Sequence, residues 1–320
     1  MKHLLLTAAA AAMVLALASC TKTKVTDVPE SRNIEFEAFI WNPTKAVEEV
    51  TTDNIKAFYV FGTKTQGGDF FENTKVYESG TENKWIYDNR FMWEELETYT
   101  FAAYSNGGTS VDGDGAKIDN AAWNGTALTI SGYNAATEPK DLLVSIASNV
   151  QDVIDNNAPV QFNFQHALSM IKFTLNSDLG DGNNAIAISN FKVKGINSTA
   201  DLTYSAVNGV VWANWKAPAD LSAVDFTTET STPGESEPFV VIPQEANISF
   251  TVTFTATFAD DEASAHSQNL TATVEDQTFA PGWRYNYVAT ITGADMKVIT
   301  FADPIVDPWV DGEVGIEDLQ

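Results

Sequence analysis

Apolar and polar residues alternate with a period of two through several stretches of the chain. The longest stretch covers residues 248–258, where Ile248 and Phe250 begin the apolar row and Ser249 and Thr251 begin the polar row. Successive side chains of a β-strand point to opposite faces of a sheet, so this pattern predicts a strand with one buried and one wet face. Shorter stretches with the same period predict further strands at residues 34–40, 160–166, 171–175 and 285–291.

Two other stretches, residues 55–61 and 99–104, are apolar on both faces and predict strands inside a sandwich. Between Ile188 and Phe191 the alternation slips by one residue, which indicates a β-bulge. Breaks rich in Gly and Asn predict turns between the strands, at residues 67–68, 106–108, 181–183 and 208–209. The sequence therefore predicts an all-β fold.

Helical spacing is scarce. Leu142, Ile146 and Val150 recur every four residues, which fits one face of a helix, but residues 142–146 also fit a buried strand. We expect a strand over residues 142–146 and then a short helix or loop. The polar run at residues 155–159 follows, and it predicts a domain boundary.

The chain is long enough for two ordinary domains, although one large β-domain remains an alternative. We expect two β-sandwich domains in series, at residues 34–157 and 158–320. No internal repeat of fixed period is present, which argues against a propeller or a solenoid.

Residues 1–20 are typical of a signal peptide. Lys2 precedes a short apolar stretch, and Cys20 follows Leu-Ala-Ser in an order that resembles a lipobox. We expect Cys20 to carry the lipid (a diacylglycerol, with palmitate) and residues 21–33 to form a tether. The chain would then be an exported lipoprotein of the outer membrane. A secreted protein with a stray cysteine is the alternative.

The cysteine count and the net charge exclude several classes of protein. Cys20 is the only cysteine, so no disulfide forms within one chain. A formal net charge of −25 repels phosphate backbones, which excludes nucleic acid as a partner. The chain contains no phosphate-binding loop, nucleophile elbow or zinc-protease motif. We therefore expect no enzyme activity and no cofactor.

Four features of the sequence are candidate binding sites. We expect His166, on the apolar face of its strand, to be buried with a satisfied hydrogen bond. His266 follows three carboxylates in a turn, where a loose metal site is a weaker alternative. Residues 112–115 begin like a calcium loop, but Ala116 and Lys117 replace the required acid and glycine. Aromatic residues that could stack on a sugar are Trp123, Trp212 and Trp215.

Six segments in order resemble the fimbrillin family of Gram-negative anaerobes. The most recognisable is the hexapeptide at residues 239–244, Phe-Val-Val-Ile-Pro-Gln. The others lie at residues 44–46 with 55–62, at 85–104, at 164–173 and at 281–287, with a late Trp309. The resemblance covers nearly all of the chain after Cys20.

The resemblance implies two transthyretin-like β-sandwich domains and a subunit of cell-surface fimbriae that supports adhesion. Its partners would be other fimbrial subunits, in a homopolymer or heteropolymer, and a trypsin-like processing protease. That protease would remove the first strand, and a C-terminal strand of the next subunit would replace it by donor-strand exchange.

Candidate cleavage sites flank the first strand at residues 34–41. Cleavage at Lys45 would release this strand, whereas cleavage at Arg32 would free only the tether. The family commonly has arginine where this chain has Lys45, which argues against an arginine-specific protease. The donated strand would come from residues 298–301 or 305–319.

The sequence also allows two other functions. A surface glycan-binding lipoprotein would share the anchor, the acidity and the sandwiches, and a hydrolase would need two of the 43 carboxylates to act together. Within a fimbria, shaft, anchor and tip subunits share one architecture.

Mass spectrometry of protein taken from the cell surface tests the expected N-terminus. We expect a diacylglycerol-modified Cys20 at the N-terminus of the uncut precursor, and loss of residues 21–45 from the processed form. An unmodified Cys20 with the signal peptide still attached would contradict the lipoprotein assignment.

Overall fold

The computed structural model describes residues 33–40, 54–81, 84–111, 117–136, 140–151, 158–179, 185–244, 247–258, 266–293 and 296–309. Over these residues the fold is all-β and contains no helix. The expected all-β class is therefore confirmed. None of the described segments forms a helix that could span a membrane.

The strands of the first half, in chain order, are Phe36–Ile40 (β1), Ala57–Lys64 (β2), Gly68–Glu78 (β3), Trp85–Ile86 (β4), Thr98–Asn106 (β5), Ala121–Trp123 (β6), Ala127–Asn134 (β7), Leu142–Gln151 (β8), Val160–His166 (β9) and Ser169–Ser177 (β10). The strands that follow are Ile186–Ser205 (β11), Gly209–Ser222 (β12), Phe226–Thr228 (β13), Gly234–Glu235 (β14), Phe239–Val241 (β15), Ile248–Phe258 (β16), His266–Gln277 (β17), Trp283–Ile291 (β18) and Ile305–Pro308 (β19).

The strands form three sheets. The first has seven strands in the order β1-β9-β8-β5-β2-β3-β4. The second has the order β14-β10-β18-β19, with β15 also paired to β10. The third has the order β17-β16-β11-β7-β6, and β12 and β13 pair with β11 beside it. Two terminal strands of the described chain, β1 and β19, thus each lie at the edge of a sheet.

Three hydrophobic clusters lie against these sheets. The first cluster is rich in aromatic residues and packs on one face of the first sheet, around Phe58, Phe101 and Phe162. A second cluster joins the opposite face of that sheet to β7 and β11, around Tyr104 and Leu202. The third fills the space between the second and third sheets. Because β2 and β5 contribute to the first two clusters, they are apolar on both faces, as the sequence predicts.

The third sheet combines strands from both halves of the chain. Tyr204 of β11 pairs with Leu128 of β7, although these residues lie on opposite sides of the expected boundary at 157/158. The division into two transthyretin-like sandwiches therefore stays a prediction.

Strand β16 confirms the clearest sequence pattern. It spans the full stretch of alternation, with Phe250, Val252 and Phe254 buried and the intervening threonines partly exposed. The expected bulge is confirmed as well. The pairing of β11 with β16 shifts register between Ser189 and Lys194, and Asn190 there has a φ of 54°.

The helix or loop expected after residue 146 is wrong, because β8 continues as one strand to Gln151. Val150 and Gln151 pair with Tyr99 and Thr98 of β5. The pairing shifts register in this region, and Asn149 has a φ of 57°. An extra residue at a bulge changes the period of buried positions locally. Ile146 packs on the second cluster and Val150 on the first, so the bulge places these two residues on opposite faces of the sheet. Their spacing of four also equals two strand periods, and it therefore does not by itself indicate a helix.

Candidate functional site

Strand β1 is an edge strand whose apolar row completes the first hydrophobic cluster. The sequence predicts a strand over residues 34–41. The structure has strand geometry from Phe36 to Ile40, a bridge from Asn33 to Met92, and Trp41 outside the described residues. The side chains on the inner face are buried: Ile34, Phe36, Ala38 and Ile40.

Phe36 is the central contact of β1 with the core. Its side chain is 3% exposed, and its ring stacks on Phe162 at 5.5 Å between centroids. Edge-to-face contacts join the same ring to Phe71 at 5.4 Å and to Phe101 at 5.7 Å. Aromatic pairs of this kind contribute about 0.5–1.5 kcal/mol each beyond the area that they bury. An edge strand thus supplies the residue around which several core rings pack.

Among the residues that the structure describes, one ladder joins β1 to the first sheet. It pairs in parallel with β9, from Phe36 with Val160 to Ile40 with Phe164. The amide of Val160 donates to the carbonyl of Glu35 at 2.7 Å, so the peptide groups of Glu35 point toward β9. Neighbouring residues of a strand direct their peptide groups to opposite sides. Those of Ile34 and Phe36 therefore point toward the free edge.

The free edge of β1 borders a cleft of about 480 Å³ whose other side is the segment around β4. At one end the gap is closed, because the amide of Ile34 donates to the carbonyl of Phe91 at 2.9 Å. Tyr87 also donates its hydroxyl to the carbonyl of Ile34 at 2.7 Å. Unpaired strand edges are templates for added strands.

Burial raises the pKa of Tyr87 to about 12, because the phenolate would lose its hydration. Tyr87 therefore keeps its proton and its bond to Ile34 across the physiological pH range. Sequence reasoning missed this contact, because Tyr87 and Ile34 are 53 residues apart.

Strand β19 is the edge strand at the C-terminal end of the described chain. It pairs antiparallel with β18, from Trp283 with Pro308 to Asn286 with Ile305, and all four of its residues are exposed. Residues 298–301, the other expected donor, form no strand. Ile299 is buried and its amide donates to Thr271 at 3.3 Å, which ties this segment to the third sheet.

His166 and Trp309 connect the C-terminal end to β9. Their rings stack with centroids 4.3 Å apart and an interplanar angle of 6°. His166 Nδ1 lies 3.0 Å from Asp141 Oδ1, and both side chains are buried. A carboxylate only accepts, so His166 donates through Nδ1. The expected buried, hydrogen-bonded histidine is confirmed, although the sequence did not indicate Asp141 as its partner.

Two ring nitrogens of this cluster, His166 Nε2 and Trp309 Nε1, have no hydrogen-bond partner among the described residues. A buried polar group without a partner costs about 1–3 kcal/mol. The stacked pair is therefore less stable than the buried area of its rings alone implies.

The expected processing sites lie outside the described residues. Cys20, Arg32 and Lys45 are all in this group, and so are residues 112–115. Lipidation of Cys20 and cleavage at Lys45 or Arg32 therefore stay predictions.

The structure argues against the sugar alternative and does not test the metal alternative. His266 is the exposed first residue of β17, and the three carboxylates that precede it lie outside the described residues, so the loose metal site stays an untested alternative. Trp212 is 6% exposed and donates Nε1–H to Ala167, and Trp215 donates to Pro243. The sugar-stacking platform is wrong, because the indole of Trp212 is packed in the second cluster.

Replacing Phe36 tests whether β1 stabilises the core. We expect Phe36→Ala to lower the free energy of unfolding by about 3–5 kcal/mol, because it leaves a cavity among packed rings. The matched control is Phe39→Ala on the same strand, since Phe39 is 41% exposed and should cost less than about 1 kcal/mol. Denaturant titration measures both. Equal effects would contradict the role given to the inner face.

Comparison with known proteins identifies structures with a similar fold and the family of this chain. No curated protein sequence matches the chain. Two solved structures share its fold at a TM-score of 0.51: candidate cell adhesion proteins from Bacteroides ovatus, with 15% identity, and from Bacteroides uniformis, with 14%. Each alignment covers 88% of this chain, with 99% of the first protein and 100% of the second.

The profile of the family described as fimbrillin-like matches residues 44–309. This match includes every described strand except β1. The chain therefore belongs to the fimbrillin-like family, and it is a structural protein rather than an enzyme.

Proposed function

We propose that the protein is a structural subunit of fimbriae that polymerises by donor-strand exchange after a protease removes β1. Membership of the fimbrillin-like family supports the coarser statement, a fimbrial adhesion subunit at the cell surface that associates with other fimbrial subunits. The description of its structural neighbours as candidate cell adhesion proteins agrees with that role.

The observation that carries the proposal is the position of β1. It is held by one ladder at a sheet edge, yet its side chains complete an aromatic core. Its loss would leave the edge of β9 unpaired over residues 160–164 and an apolar slot beside it. Such an edge accepts a strand from a neighbour, and each large apolar side chain that fills the slot contributes about 1.5–3 kcal/mol.

We propose that the donor is the C-terminal segment at residues 305–319. Its described part, β19, is an exposed edge strand that leaves β18 without crossing any other strand. Phe301 and Ala302 are held by contacts with Phe173 and Val288, whereas residues 303–304 form no strand, so they can serve as the hinge.

The proposed precursor is a lipoprotein anchored through Cys20 to the outer membrane. A trypsin-like protease would cut at Lys45, five residues after the end of β1. Of the two domains expected at residues 34–157 and 158–320, the second would supply the donor strand and also β9, whose edge borders the acceptor slot, and the first would supply most of the aromatic residues that line the slot.

Limited trypsin digestion of the full-length precursor tests this proposal. We expect cleavage at Lys45 to yield oligomers that survive mild SDS, because the whole inserted strand has to detach before they dissociate. Lys45→Gln should remain monomeric under the same treatment, and the matched control Arg32→Gln should polymerise like the wild type. Intact mass identifies the cut. A protein that is cut at Lys45 and stays monomeric would contradict the proposal.

A further inference from the structure

In the described part of the C-terminal segment, residues 305–309, burial is concentrated in one side chain. The four residues of β19 are all exposed, whereas Trp309, which follows directly, is 2% exposed. The strand itself is held by its ladder to β18 alone. Trp309 is therefore the main apolar anchor of the segment.

The site that receives Trp309 lies in the second cluster and includes the end of β9. The indole stacks on His166, the last residue of that strand. The amide of Trp309 donates to the carbonyl of Gly282 at 2.7 Å, and the amide of Gly282 donates to Leu168 at 2.8 Å. The stacking contact reaches His166 directly, and the two hydrogen bonds reach Leu168 through Gly282. Both residues follow the part of β9 that pairs with β1.

The same strand carries β1. Residues 160–164 of β9 pair with β1, and only Gln165 separates this stretch from His166. On its other side β9 pairs with β8 through Leu143 with His166 and Val144 with Gln165. Strand β9 thus contacts β1 through a ladder and the residue after β19 through the stacking of Trp309 on His166.

We propose that His166 couples these two attachments, so that Trp309 keeps the C-terminal strand on its own subunit until β1 leaves β9. This inference rests on the proposed function, in which β1 is removed and the C-terminal strand is donated. It adds an order of events: the acceptor slot opens first, and the donor strand is released as a consequence.

The physical basis is the change of β9 from an inner strand to an edge strand. With β1 present, residues 160–164 are paired to β1, while residues 165–166 are paired to β8. Loss of β1 removes the longer of these ladders, and strands that lose a partner open locally more often. The ring of His166 is then held only from the side of β8, by the pairing with Leu143 and the hydrogen bond to Asp141, so it supports the stacked indole less firmly.

The unpartnered ring nitrogens favour release. His166 Nε2 and Trp309 Nε1, which have no partner among the described residues, become accessible to water when the indole leaves. Solvation of both groups partly offsets the loss of stacking. The stacking contact between Trp309 and His166 is therefore easier to break than a core contact in which every polar group is hydrogen-bonded.

Amide hydrogen exchange on the uncut full-length protein tests whether Trp309 holds the C-terminal strand, and it does not require polymerisation. We expect Trp309→Ala to speed exchange at residues 283–286 and 305–309 by about 100- to 1,000-fold, because it removes the main apolar anchor. Trp309→Phe keeps a stacking ring and should change the same amides by less than about 10-fold. The matched control is Trp283→Ala, since Trp283 is 39% exposed and pairs with the same strand.

The coupling has its own readout in the same experiment. Phe36→Ala weakens β1 from a distance, and we expect it to raise exchange at residues 305–309 by at least about 10-fold, whereas Phe39→Ala should not. Exchange within β16 serves as the internal reference for global unfolding.

Two results would overturn the inference. Unchanged exchange at residues 305–309 in Trp309→Ala would show that the indole is not the anchor. Acceleration in Trp309→Ala but not in Phe36→Ala would show that β9 does not connect the two strands. Both results concern the uncut monomer, so they are independent of whether the cut protein polymerises.

Discussion

The structure depends on an aromatic core that is completed by a strand at the edge of its sheet. Phe36 contacts five other aromatic rings, yet its strand is joined to the rest of the protein mainly through β9. A side chain with this many core contacts usually belongs to a central strand, where two ladders secure it. Phe36 combines high burial with a strand held by a single ladder. A strand that can be removed to leave an apolar slot requires this combination.

Much of the strand content was predictable from the sequence, because one buried and one wet face impose a period of two. Strand β16 follows this rule throughout. The rule failed at residues 147–151, where Asn149 has a positive φ and the added residue places Val150 on the face opposite to Ile146. The sequence period shows which side chains are buried. A bulge shifts that period although the strand continues.

The candidate site was predictable only in part. Strand β1 and the burial of His166 follow from local patterns, whereas the contacts that give them a role join distant residues. Asp141 lies 25 residues from His166, and Trp309 lies much further along the chain. Gln244 is a further example: its buried amide accepts from Asn197 N–H and donates to the carbonyls of Asn197 and Ile242. No local pattern specifies such pairs, because the sheet order brings them together.

The most direct test of the account is to fix β1 to β9 covalently and ask whether assembly stops. Glu37 and Gln161 are cross-strand partners, so Glu37→Cys with Gln161→Cys in a Cys20→Ser background places one disulfide across the ladder. After cleavage at Lys45, the account predicts that the oxidised protein stays monomeric and that adding a reductant releases β1 and starts polymerisation. Equal polymerisation of the oxidised and reduced proteins would contradict it.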